Sequence, residues 1–119
     1  MRKILIVDDN KYIKIALSLL VQESGFEAIT SDDGDTALKN IESEKPCLVV
    51  LDKKLPDCDG ISLLKKIKNS DPNLPVIMLT AYTDMTYAEL AINSGAYAFI
   101  TKPFNNDEII GIIKNAISS

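Results

Sequence analysis

Histidine is absent from this 119-residue chain, and cysteine occurs only twice. Without imidazole, and with Cys47 and Cys58 too far apart for a C-x-x-C pair, neither a zinc site nor a redox couple is credible. Both thiols are expected to be plain side chains in a reducing compartment. A basic excess is missing as well: 13 Lys and Arg face 17 Asp and Glu, for a formal charge of −4. That balance argues against a domain that itself binds nucleic acid or an anionic membrane, since both call for basic patches. No apolar run approaches the length of a membrane span, and Met1-Arg2-Lys3 leads directly into a short strand rather than a signal peptide. A cytoplasmic location is therefore expected. Internal repeats, linkers and low-complexity tracts are lacking too.

What remains is an ordinary globular composition, 46% apolar and 25% charged, in a length that suits one domain over residues 1–119. Five short apolar runs alternate with five amphipathic ones. Strands are expected at Lys3 to Val7, Phe26 to Thr30, Cys47 to Leu51, Pro75 to Leu79 and Tyr97 to Thr101. Helices are expected at Lys11 to Ser24, after Asp35, at Ile61 to Asn69, at Asp84 to Asn93 and at Asn105 to Ile117. Their inward stripes are Ile13, Ala16, Leu17, Leu20 and Val21; Ala37, Leu38 and Ile41; Leu63, Leu64 and Ile67; and a thin one of Met85, Ala88, Ala91 and Ile92. The last helix carries a wider arc centred on Ile109, Ile113 and Ala116, with Ile110 and Ile112 at its margins. This alternation predicts an α/β domain, a doubly wound parallel sheet of the flavodoxin-like (βα)5 kind with strand order 2-1-3-4-5.

In that order strands one, three and four are neighbours, and their C-terminal ends carry Asp8 with Asp9, then Asp52, then Thr80; Lys102 joins from strand five. Each residue has an ordinary explanation. An acidic pair before a helix can cap it, and a strand-end Asp or Thr can bond its own loop. Capping does not require them to converge on one sheet edge, where open α/β sheets place their ligands. Three carboxylates against one ammonium leave two negative charges uncompensated, which calls for a counter-ion. Oxygen ligands without His or Cys favour Mg²⁺, which keeps waters and accepts phosphate oxygens as ligands.

The motifs ILIVDD, LVVLD followed by LPDCDG, VIMLTA and FITKPF together resemble the receiver domain of two-component response regulators over essentially the whole chain. The resemblance implies that Asp52 is the phosphoacceptor. It implies a Mg²⁺ site in which Asp9 binds directly, Asp8 supports it through water, and Asp52 and the Lys54 main-chain carbonyl complete the protein ligands. Thr80 and Lys102 would contact phosphoryl oxygens, Lys102-Pro103 would be a cis peptide, and Phe99 falls where the family keeps its switch aromatic. Phe99 has no hydroxyl to form a switched hydrogen bond. Lys54 and Tyr82 flank the expected acyl phosphate and are read as shields that slow its hydrolysis.

The implied donor is a sensor histidine kinase or phosphotransfer protein, and the implied receiver of the signal is an output domain or downstream protein. It would meet the face of helix four, strand five and helix five, and a phosphorylation-dependent homodimer fits the same face. The sequence is compatible with a stand-alone regulator and with the receiver of a longer transcription regulator. Two rival functions make demands on partly the same residues. A flavin site would need a Gly, Ser and Thr loop after strand one, where Asp8 and Asp9 stand. A Mg²⁺-dependent phosphohydrolase acting through an aspartyl phosphate needs nearly these groups, but the chain lacks its Asp-x-Asp nucleophile motif after strand one and a substrate-binding cap.

Overall fold

The computed structural model describes residues 2–81 and 85–118. Its elements follow in strict alternation: β1 (Lys3–Val7), α1 (Lys11–Glu23), β2 (Glu27–Ser31), α2 (Gly34–Glu44), β3 (Leu48–Asp52), α3 (Gly60–Ser70), β4 (Val76–Ala81), α4 (Met85–Asn93), β5 (Ala98–Lys102) and α5 (Asn106–Ser118). The strands pair in parallel in the order β2-β1-β3-β4-β5, as the pattern predicts.

The two-residue period of a strand sorts the sheet's side chains between two cores. Leu5, Val7, Val49, Leu51, Val76 and Met78 point to the side covered by Ala37, Leu63, Leu64, Ile67 and Ala91 of α2, α3 and α4. Ile4, Ile6, Leu48, Val50, Ile77 and Leu79 point to the side covered by Leu17, Val21, Ile109, Ile113 and Ala116 of α1 and α5. Because both faces are covered, Ile4 to Val7 of β1, Leu48 to Leu51 of β3 and Val76 to Leu79 of β4 are unbroken buried apolar runs, whereas the edge strand β2 keeps exposed positions.

Most boundaries differ from the expected ones by a residue, and the strands differ systematically. β2, β3, β4 and β5 start and end one or two residues later than the apolar runs. Parallel pairing continues into the polar residues, with Asp52 paired to Leu79 and Ala81 to Lys102. Two inward stripes are also thinner than expected. Ala16 is exposed on α1, and Met85 and Ile92 are 54% and 42% exposed on α4, which buries only Ala88 and Ala91. Small alanines let α4 lie close to the sheet, so its larger apolar residues are carried out to the flanks.

Candidate functional site

Parallel strands put every C-terminal end on one edge, and that edge gathers the polar residues the sheet has buried. Asp8 directly follows β1, is fully buried, and continues the β2 pairing by donating its N–H to the Ser31 carbonyl at 3.1 Å. Asp52 closes β3 at 8% exposure, and Thr80 lies one residue past its partner Leu79 at 2%. Asp9 beside them is exposed. Asp8, Asp9 and Asp52 each bring a carboxylate oxygen to within 4.8 Å of the others. From β5, the Lys102 ammonium donates to Asp52 Oδ1 at 2.8 Å and to Asp8 Oδ2 at 3.5 Å. The Lys102-Pro103 peptide is cis.

The electrostatics follow from burial and crowding. Burial pushes the Asp8 carboxyl above its ordinary value; the Asn10 N–H at 2.8 Å and Lys102 oppose this, while Asp52 reinforces it. Burial alone would lower Lys102, but the hydrogen bond and charge of Asp52, with those of Asp8, hold its ammonium above the ordinary value. The site thus has one fixed cation and more carboxylate than that cation balances. Its oxygen-only donors, converging without His or Cys, fit a hard divalent cation.

The loop after Asp52 is held rigidly. An added Cβ at Gly60 would lie 2.6 Å from the Asp52 carbonyl and 2.8 Å from that of Lys53, so only glycine allows the start of α3 to press on the backbone of Asp52 and Lys53. Gly60 N–H donates to the Lys53 carbonyl at 2.8 Å. Lys54 pairs with Asp59 in an isolated antiparallel bridge, and its side chain is exposed. Tyr82 lies outside the described residues. Phe99 is half-buried beside a cavity of about 310 Å³ that Met85, Ala88 and Ile92 also line.

Residues that sequence reasoning passed over complete this edge. Asp57, in the LPDCDG stretch, reaches across to α2 and accepts the N–H of Gly34 at 2.8 Å and of Asp35 at 3.0 Å. These bonds, that of Gly34 first, hold its carboxyl below the ordinary value. Tyr87 of α4 reaches back to the same loop, its hydroxyl 3.2 Å from the Lys53 carbonyl and 3.1 Å from Asp59 Oδ1. The Pro, Asp and Gly of LPDCDG carry no information about which distant backbone they cap, and Tyr87 stands outside the inward stripe expected for its helix, so no local signal announces its partners.

The sequence model of the response regulator receiver domain matches residues 4–114. Sporulation initiation phosphotransferase F of Bacillus subtilis is 39% identical over 94% of this chain and 90% of its own length. The alkaline phosphatase synthesis transcriptional regulatory protein PhoP of Bacillus subtilis is 40% identical over 95% of this chain but only 47% of its own. The DNA-binding transcriptional regulator NtrC of Salmonella typhimurium is 35% identical over 24% of its length, so the chain spans half or less of these transcriptional relatives. Among solved structures, the receiver domain of NtrX from Brucella abortus superposes with a TM-score of 0.94 at 38% identity, covering 98% of both chains. Fold, edge residues and relatives agree, and the chain belongs to the response regulator receiver domain family.

Proposed function

We propose that residues 1–119 form a receiver domain in which Asp52 accepts a phosphoryl group from a phosphohistidine on a sensor kinase or phosphotransfer protein. The observation that carries this is the 2.8 Å bond from Lys102 to Asp52, at the sheet edge where the Asp8, Asp9 and Asp52 carboxylates converge. In the transfer an Asp52 oxygen forms the new P–O bond as the P–N bond to the donor imidazole breaks, the electron pair staying on that nitrogen. Lys102 neutralises charge on the oxygens around phosphorus, and Thr80 offers a hydroxyl to them. Asp8, Asp9, Asp52 and the Lys54 carbonyl would hold Mg²⁺. When bound, it supplies the positive charge that lets two anions approach.

Domains of this family are signalling switches. On the proposed reading this one catalyses only its own phosphorylation and dephosphorylation. The relatives named above do not favour the phosphohydrolase alternative. The added charge on Asp52 would draw Thr80 and Lys102 and so bias β4, β5 and α4 between two packings. The output surface proposed is α4, β5 and α5, facing an output domain, a downstream protein or a second copy. Among the described residues no helix is long and apolar enough to cross a membrane, and a cytoplasmic location is part of the proposal.

The test is intact-mass analysis after incubation with acetyl phosphate and Mg²⁺. The native chain is expected to gain one phosphoryl group and Asp52→Asn none. Undiminished labelling of Asp52→Asn would overturn the assignment.

A further inference from the structure

Asp59 occupies the N-cap of α3, yet its carboxylate makes no capping bond to that helix. An Asp at this position ordinarily accepts a backbone N–H of the first turn. Here the carboxylate accepts the Tyr87 hydroxyl instead, at 3.1 Å, from the first turn of α4. The same hydroxyl lies 3.2 Å from the carbonyl of Lys53, the residue directly after the phosphoacceptor. The Lys53 ammonium sits 4.7 Å from the centroid of the Tyr87 ring, within cation–π range. Tyr87 is half-buried against the core between α3 and α4, so its ring is anchored while its polar end reaches the loop.

The backbone after Asp52 is thus held from three sides. Lys53 N–H donates to the Leu79 carbonyl of β4 at 3.1 Å, and its carbonyl accepts from Gly60 of α3 at 2.8 Å and lies against Tyr87 of α4. The first two are backbone–backbone bonds, the second of which needs glycine at position 60. The third depends on one side chain, and it ties the backbone next to Asp52 to α4, a helix that does not flank the loop in sequence.

We infer that Tyr87 is a positioning residue for the phosphoryl-transfer site: by clasping the Lys53 carbonyl and Asp59, it couples the placement of α4 to the orientation of the Asp52–Lys54 backbone. The inference rests on Asp52 being the phosphoacceptor. Linkage makes the coupling reciprocal, so whatever holds α4 in its present place also favours the reactive loop geometry, and a change at Asp52 is felt at α4 without a hydroxyl on Phe99. The hydroxyl carries one proton for two acceptors, and the carboxylate and carbonyl share it; losing either acceptor therefore weakens but does not abolish the clasp.

The experiment compares the native chain, Tyr87→Phe, Asp59→Ala and the double variant. It reads the rate of phosphorylation by acetyl phosphate at saturating Mg²⁺ and, without donor or metal, amide hydrogen exchange at Lys53, Lys54 and Gly60. Tyr87→Phe keeps the ring and its packing. It is expected to slow phosphorylation about fivefold, the rate equivalent of one ordinary hydrogen bond, and to speed exchange at those amides while the central strands stay protected. Asp59→Ala is expected to act in the same direction, and the double variant to fall short of the combined effect of the two single changes, because both break one clasp. Unchanged rate and exchange in Tyr87→Phe, faster exchange spread over the whole sheet, or strict additivity in the double variant would each overturn the clasp. A native chain that takes no phosphoryl group, with Tyr87→Phe still loosening the loop amides, would fault the proposed phosphoacceptor and not the coupling.

Discussion

Replacing Asp8 by Asn tests whether the acidic edge is a liability that its ligand relieves. Asp8 is fully buried, and its charge has two carboxylate neighbours within 4.8 Å and one ammonium at 3.5 Å. At an effective dielectric near 20, each carboxylate repels it by about 3–4 kcal/mol and Lys102 attracts it by about 5 kcal/mol. Asp9 is exposed, so solvent screening removes much of its share. Attraction and repulsion then nearly cancel, and the burial cost of the charge is left uncompensated. That balance agrees with the carboxyl lying above its ordinary value for reasons of burial first. Asn keeps an oxygen for the Asn10 N–H and gains an amide that can donate to Asp52. Without metal, Asp8→Asn is therefore expected to be more stable by about 1 kcal/mol, roughly a fivefold shift in the folding equilibrium.

The sign with pH follows from the direction of the shift. A carboxyl whose folded pKa is raised binds more proton folded than unfolded, so the native chain loses stability as pH rises from 3.8 to the folded value, and is flat above it. The advantage of Asp8→Asn should be full at neutral pH and shrink on acidification through that window. Mg²⁺ should invert the order, because a ligand at a hundredfold its Kd adds about 2.7 kcal/mol to a chain that binds it. Urea melts in EDTA and in Mg²⁺ make the assay. A variant less stable than the native chain in EDTA would refute the repulsion argument, and an order that Mg²⁺ leaves unchanged would remove Asp8 from the ligand set.

Asp57→Ala should lower stability at neutral pH, because α2 loses the acceptor for two N-terminal N–H groups. Since the carboxyl's folded pKa is lowered, this contribution is complete above 3.8 and fades as pH falls through the folded value, so equal urea midpoints at neutral pH would discount the cap. Lys54→Asn is expected to shorten the lifetime of the phosphoryl group on Asp52, because an ammonium cannot draw a proton from an attacking water and an amide oxygen can accept one; unchanged or slower decay in Mg²⁺ would remove the shielding role. On the proposed output face, Ile110 and Ile112 are only partly buried and Met85 and Ile92 stand exposed. Amide shift changes on adding a partner or on phospho-dimerisation are expected there, and a footprint confined to other faces would count against it.

The order of elements was legible because each step from apolar run to amphipathic run is long enough to carry its own period. The edge residues were legible for a topological reason. Once β1, β3 and β4 are neighbours, parallel strands bring Asp8, Asp52 and Thr80 to one place whatever the loops do. Strand ends were misjudged by a residue or more because Asp52 and Lys102 look like loop in composition but still pair in the sheet. Polarity marks where burial ends, not where hydrogen bonding ends. The cross-loop contacts of Asp57 and Tyr87 were not legible at all, since both depend on how far a helix leans over the sheet, a quantity set by packing of residues such as Ala88 and Ala91 rather than by any local signal.

The same edge also indicates how charge could become movement. Lys102 is shared unequally, at 2.8 Å from Asp52 and 3.5 Å from Asp8, and it is the last residue of an edge strand. β5 buries fully only Ile100, so the cost of displacing it is less than for β3, where all five residues are buried. A phosphoryl group on Asp52 would offer Lys102 more negative charge at a new position, while cation at the cluster would release it from Asp8. Both changes pull the ammonium the same way. The element that yields should be the one with least apolar surface committed, which is β5 together with α4, whose grip on the sheet is two alanines. Tyr87, in the first turn of α4, opposes that movement by holding the helix to the Lys53 carbonyl and Asp59, so Tyr87→Phe should leave α4 freer to follow Lys102. The variant that phosphorylates more slowly is then expected to show the larger displacement of α4 per phosphoryl group gained, measured as the amide shift change across Met85 to Asn93. A smaller displacement in Tyr87→Phe than in the native chain would mean that the clasp drives the movement of α4 and does not restrain it.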